Sequence, residues 1–153
     1  MEKLAIKYGL LITAAVMVWS ILAHLIVPDP TSRVHSVGAP IVFNVCQFVG
    51  IFLGISALSR ELHERPTFKQ ALKMGVWVSF VYALGASTFF LAVIFIVGTK
   101  WMAGEPGAEQ MPMSVVAAQA FAGLFLGSML FGLIYSTLIA FALARRLSKD
   151  DVR

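Results

Sequence analysis

The sequence predicts an all-α integral membrane protein, a single domain over residues 1–153 built as a bundle of four antiparallel transmembrane helices. Three observations lead there. Four long stretches carry no Asp, Glu, Lys or Arg. The chain is 59% hydrophobic and 13% charged, against about 45–50% and about 25% in soluble domains. Of the 12 Lys and Arg residues, only Arg33 and Lys100 fall in the first and third gaps between stretches. Lys3 and Lys7 precede the first stretch, Arg60, Arg65, Lys69 and Lys73 fill the second gap, and Arg145, Arg146, Lys149 and Arg153 follow the last. Cationic segments are retained on the cytoplasmic side. Both termini are therefore expected inside the cell, with the protein in a bacterial inner (plasma) membrane.

About twenty apolar residues rising 1.5 Å each cross a hydrocarbon core of about 30 Å. The first span is expected over 8–27. It is longer than a signal-peptide core and no Ala-x-Ala site follows it, so it reads as a retained helix. Pro28-Asp29-Pro30 ends it, because two prolines and a charge do not continue a lipid-exposed helix. The second span covers 37–58, with Pro40 in its first turn, where a missing N–H costs little. The most polar connection, 59–66, follows.

Thr67 has the features of an N-cap, with Gln70 as its capping-box partner. Phe68, Ala71, Leu72 and Gly75 then share one face and Lys69, Gln70 and Lys73 the other. This predicts an amphipathic turn and a half riding along the headgroups ahead of the third span, 74–97. Trp77 and Trp101 suit the aromatic belts at the two interfaces. Five Gly and Pro residues over 98–113 predict an irregular connection. Ser114 is the expected N-cap of the fourth helix, whose span is placed at 115–144. Thirty uncharged residues make about 45 Å of helix, so tilt plus projection past the bilayer is expected.

Lipid is as apolar as another helix, so close backbone approach drives association in membranes. Gly75, Ser79, Ala83 and Ser87 recur every four residues on the third helix. Ser128, Gly132, Ser136, Ala140 and Ala144 do so on the fourth, beside a second row of Gly123 and Gly127. The second helix adds Gly50 and Gly54. These stripes are where helix–helix contact is expected, either as seams within the bundle or, for one of them, as a dimer interface.

The polar groups within the spans are few and neutral. Asn44, Gln47, Tyr82 and Gln119 are the candidates for a polar intramembrane cluster near the outer leaflet, able to hold a small molecule or headgroup. The alternative for them is interhelical hydrogen bonding, worth on the order of 0.6 kcal/mol each. His24, Asp29 and His35 lie on the outer side without metal-ligand spacing, and Cys46 is a small apolar residue of the interior.

Several classes are disfavoured. Ionisable residues at membrane depth mark proton relays and ion paths, and the spans hold none. The membrane-embedded Glu of small proton-coupled multidrug exporters is missing, as is the Arg, Asn and Glu set of glutathione-handling four-helix enzymes. One cysteine makes no CxxC pair and no intrachain disulfide, which excludes quinone-linked thiol oxidases. No phosphate loop, nucleophile elbow or kinase signature occurs, so no catalytic residue, cofactor or metal is expected. The net charge of +4 sits at membrane boundaries, which favours anionic headgroups over nucleic acid.

Lys7-Tyr8-Gly9 opening the first span, Phe68-Lys69-Gln70-Ala71-Leu72-Lys73-Met74-Gly75 opening the third, and Leu133-Ile134-Tyr135-Ser136-Thr137-Leu138-Ile139-Ala140 leading to Arg145-Arg146 form a pattern. In order and spacing it resembles the domain-of-unknown-function 4199 family of small bacterial membrane proteins. That resemblance implies four helices and no assigned activity. Members usually have a longer, charged connection between helices three and four than 98–113 provides.

The expected function is accordingly that of a non-enzymatic, multi-pass membrane component working through helix–helix contacts, with membrane lipids around it, as a homodimer or as a small subunit of a larger complex. The alternative is a small transporter, or a lipid- or small-molecule-binding protein with an uncharged polar site.

Overall fold

The computed structural model describes residues 1–29, 32–63, 65–98 and 111–150, with side chains up to Leu143 in the last helix. Glu64, Lys100, Trp101, the interior of the 98–113 connection, Arg153 and the side chains of Ala144, Arg145, Arg146 and Lys149 lie outside that description. The described residues are all-helical. They form α1 (Glu2–Ile26), a π-helical turn (Val34–Gly38) running into α2 (Ala39–Leu62), α3 (Phe68–Val97) and α4 (Met113–Asp150). All four helices are long and apolar enough to cross a membrane.

Each boundary has a local cause. A π-helical turn begins at Val34, earlier than the expected 37, and Pro40 lies in the first turn of α2, as expected, with that turn directly ahead of it. Pro40 has no N–H to offer the Ser36 carbonyl, and its ring crowds that group. The backbone widens in response: the Ala39 N–H bonds the Val34 carbonyl, five residues back, which makes the π turn. The helix also continues through Ser59, Arg60 and Glu61 to Leu62, residues expected in the loop. His63 stops it in a left-handed conformation, φ 53°. The outer connection is clasped by His35, whose Nε2 donates to the Val27 carbonyl at 2.7 Å just past the end of α1.

Thr67 and Gln70 make the expected capping box: the Gln70 N–H donates to Thr67 Oγ1 and the Thr67 N–H to Gln70 Oε1. From there α3 runs unbroken to Val97, with the amphipathic turn as its first stretch. Ala71 and Gly75 are buried there, while Phe68 joins Lys69 and Lys73 on the exposed side. In α4 the first amides, Val115 and Val116, bond the Pro112 carbonyl. Ser114 is thus inside the helix and not its cap. The α4 backbone stays helical to Asp150, past Arg145 and Arg146.

α3 is the central element, packing on α4, α1 and α2, while α1 and α4 sit on opposite sides of the bundle. The α3–α4 seam is a reciprocal interlock. A β-carbon on Gly75 would overlap Ser136 of α4, and one on Gly132 would overlap Ser79 of α3. Each glycine is a notch that receives the serine opposite, and each serine stands one turn beyond its own helix's notch. Both hydroxyls are satisfied at home: Ser79 donates to the Gly75 carbonyl at 2.8 Å and Ser136 to the Gly132 carbonyl at 2.6 Å. These two serines thereby enter an apolar seam with no unmet donor. A second interlock joins α1 to α3, where Gly9 receives Val81 and Gly85 receives Thr13, whose hydroxyl bonds the Gly9 carbonyl. Gly50 of α2 is filled by Ile12, and Gly54 by Val78, Met74 and Tyr8. The α2 pair of glycines is therefore an intramolecular seam.

Overpacking at such notches costs about 1–3 kcal/mol. Gly75→Val and Gly132→Val are each expected to lower stability by that amount, read from the unfolding midpoint in mixed micelles titrated with sodium dodecyl sulfate. Ser79→Ala and Ser136→Ala, which remove only locally bonded hydroxyls, are expected within about 0.5 kcal/mol of the parent. Midpoints unmoved by either glycine substitution would contradict the interlock.

Candidate functional site

The interlock sets the height at which polar groups meet. Gln47, Tyr82 and Ser128 all fall at the middle of their spans, Val34–Leu62, Phe68–Val97 and Met113–Leu143. Gln47 is buried and donates through Nε2 to the Ser128 backbone carbonyl at 2.7 Å. That carbonyl is free to accept because a carbonyl oxygen has two lone pairs and its intrahelical bond uses one. Tyr82 is only 1% exposed, and its hydroxyl reaches the Ser128 side chain with Cys46 nearby. Gly132 brings Gln47 close as well, since a β-carbon there would stand 2.8 Å from the Gln47 amide nitrogen. The same glycine thus admits Ser79 from α3 and the Gln47 amide from α2.

Asn44, one turn from Gln47, belongs to a separate pair. Its Oδ1 accepts from the Tyr135 hydroxyl at 2.8 Å, and its Nδ2 donates to the Pro40 carbonyl at 2.8 Å. That second bond returns a donor to a stretch of helix disturbed by proline. Tyr135 is wedged edge-on against Phe48 and stacked on Phe131.

Of the four residues expected to cluster, the structure brings Gln47 and Tyr82 together on Ser128 and places Asn44 one turn away on Tyr135. The meeting point is mid-span and not near the outer leaflet. Gln119 is elsewhere. It is exposed on α4, and nine residues separate it from Ser128, about 13 Å of helix. Ser128 is the residue that sequence reasoning passed over as a site member, having placed it only in the small-residue row. The group that holds Gln47 is its backbone carbonyl, which no side-chain pattern reveals.

The glycines divide in the same way. Gly50, Gly54 and Gly132 meet neighbouring side chains, as do Gly9, Gly75 and Gly85. Gly123 and Gly127 have nothing within 4 Å of a β-carbon position. With Gln119 they form one column at i, i+4 and i+8 on the outward face of α4. Leu126 and Leu130, 65% and 59% exposed, flank it.

No protein-family model, curated protein or solved structure matches this chain. The four apolar helices fit a multi-pass membrane protein, and the chemistry open to it follows from the contacts above. Each neutral pair at the α2–α4 boundary joins the two helices at a defined height.

Gln47→Leu and Tyr135→Phe are each expected to cost about 0.6 kcal/mol, with about 1.7 as the ceiling seen for such bonds in membranes. Asn44→Ala combined with Tyr135→Phe is expected to be non-additive by a similar amount, whereas Gln47→Leu combined with Tyr135→Phe adds. The check is a double-mutant cycle on unfolding midpoints; additivity in the Asn44/Tyr135 cycle would remove that pair.

Proposed function

We propose that this protein is a non-enzymatic membrane component that works by pairing the Gln119/Gly123/Gly127 face of α4 with another transmembrane helix, from a second copy or from a larger complex. One observation carries the reading. Gly9, Gly50, Gly54, Gly75, Gly85 and Gly132 are each filled by a side chain of the same chain, whereas Gly123 and Gly127, spaced as a GxxxG, are open. Small residues at that spacing let two backbones approach closely, and van der Waals packing is then the main attraction available in lipid. Gln119 supports it from the rim. Near the hydrocarbon boundary a carboxamide stays hydrated at little cost and can hydrogen-bond a helix that arrives beside it.

The interior supports the non-enzymatic part of the reading. Gln47 and Asn44 are engaged with Ser128 and Tyr135, which supports a role in joining helices. The distribution of Lys and Arg supports a cytoplasmic N-terminus, C-terminus and α2–α3 connection in a bacterial inner membrane. The resemblance to the domain-of-unknown-function 4199 family agrees with this reading and brings no reaction of its own.

In lipid nanodiscs or by crosslinking in native membranes, the protein is expected to give a dimer or a stoichiometric partner. Gly123→Leu with Gly127→Leu should abolish it while leaving the unfolding midpoint unchanged. A species that stays monomeric and partnerless in its own membrane would defeat the proposal. So would an assembly indifferent to both substitutions. Gly50→Leu and Gly132→Leu are unsuitable probes, because both fill intramolecular notches.

Orientation has its own test. With Cys46→Ala as background, single cysteines at the exposed positions Ser36 and Glu61 are expected to differ. Ser36→Cys should react with an impermeant maleimide on intact cells, and Glu61→Cys only after permeabilisation. Equal labelling would reverse the assignment.

A further inference from the structure

At the end of the bundle where α2 leaves and α3 begins, the chain encloses a cleft of about 270 Å³ lined by Ser56, Ser59, Arg60, Arg65, Pro66 and Leu143. Its construction follows from the helix geometry. Ser56, Ser59 and Arg60 stand at i, i+3 and i+4, so they share one face of the last turns of α2. The left-handed turn at His63 then reverses the chain and brings Arg65 and Pro66 over that face. Leu143 closes the side from α4. Pro66 is buried, and the Thr67 capping box fixes the chain just after it. Ser59 and Arg65 are each further held by an interaction within the protein.

We propose that this cleft is a binding site for a phosphate group, with an anionic phospholipid headgroup as its source. The chemistry points there. Arg60, Arg65, Ser56 and Ser59 line one volume, and no carboxylate is among its described lining residues. Guanidinium presents a planar fork of donors that matches phosphate oxygens two at a time. The hydroxyls add donors of the same kind. A site already braced by cap and turn loses little freedom on binding.

The position points to lipid. The cleft begins where the apolar run of α2 ends, at Leu58, which is headgroup height for a helix whose middle lies near Gln47. Phe52 is one turn back from Ser56 on the same column and is 46% exposed. An acyl chain hanging from a headgroup in the cleft meets that apolar surface. Leu143 and Pro66 give the cleft an apolar wall suited to a glycerol backbone and not to a bare ion.

The full-length protein in mild detergent can be titrated with phosphatidylglycerol, phosphatidylcholine or inorganic phosphate, with adducts read by native mass spectrometry. One equivalent of phosphatidylglycerol is expected to be retained at least tenfold more strongly than phosphatidylcholine. Millimolar inorganic phosphate should not displace it. Arg60→Gln with Arg65→Gln should bring the preference down to that for phosphatidylcholine. Lys69→Gln with Lys73→Gln removes the same charge at the same end and should leave the preference intact. Helical content and unfolding midpoint of both double variants provide the folding control.

Equal loss in the two double variants would mean diffuse attraction and overturn the site. Phosphatidylglycerol binding unchanged in the arginine variant would also overturn it. Arginine-dependent binding of inorganic phosphate that displaces lipid would keep the phosphate site and overturn the lipid source.

Discussion

In a bilayer no hydrophobic force pushes one helix onto another, since acyl chains solvate apolar side chains as well as a neighbouring helix does. A compact bundle of such helices depends on shape. Here the decisive shape is the exchange of notches between α3 and α4, where Gly75 takes Ser136 and Gly132 takes Ser79. The serine is suited to this place for two reasons. It is barely larger than alanine, and its hydroxyl folds back onto the carbonyl four residues earlier, so it carries no polar debt into the seam. Threonine does the same for α1 at Thr13, against Gly85. One local device, glycine followed four residues later by a self-bonding hydroxyl residue, sets both the distance and the register of the two principal seams.

Register then determines the polar contacts. With Gly132 against Ser79, Ser128 comes level with Gln47 and Tyr82, and the second lone pair of its carbonyl faces α2. A glutamine amide buried at mid-span without a partner would cost several times what the bond returns. Gln47 is tolerable only because the α3–α4 seam presents that carbonyl. The dependence runs one way. Removing Gln47 leaves the seam intact, whereas filling Gly132 disturbs the seam and displaces the amide together.

Much of this was legible in the sequence, and the limits have physical causes. Four charge-free runs are enough to establish four spans. Spacing of four among Gly, Ser and Ala marks the α3–α4 seam at Gly75, Ser79, Gly132 and Ser136, while the Gly123/Gly127 row of the same spacing meets no side chain of the described chain. Helix ends were harder. The start of α2 depends on how the backbone accommodates Pro40, and a π turn leaves no mark in residue types. The end of α2 depends on His63 adopting a left-handed conformation that an exposed loop residue gives no reason to expect. The inside-or-outside question for the glycines was harder still. In a soluble helix polarity separates the two faces, but here Leu126 in lipid and Leu124 against the core are the same residue type. Gln119 and Gln47 are likewise indistinguishable as symbols, and only the height and phase of their helices set one at the rim and the other in the seam.

That symmetry between lipid and interior makes the open glycines informative. A glycine inside a helix costs about 1 kcal/mol relative to alanine, through backbone entropy. At Gly75 and Gly132 the cost is offset by the close approach it permits. At Gly123 and Gly127 nothing in the same chain approaches, and alanine would serve the lipid-facing surface equally well while favouring the helix. Two such glycines one turn apart, with a carboxamide in line with them, impose a cost that folding of the isolated bundle does not recover. Under the proposed pairing the offset comes from outside the chain: for a helix backbone brought within contact distance, a missing β-carbon on α4 is an advantage.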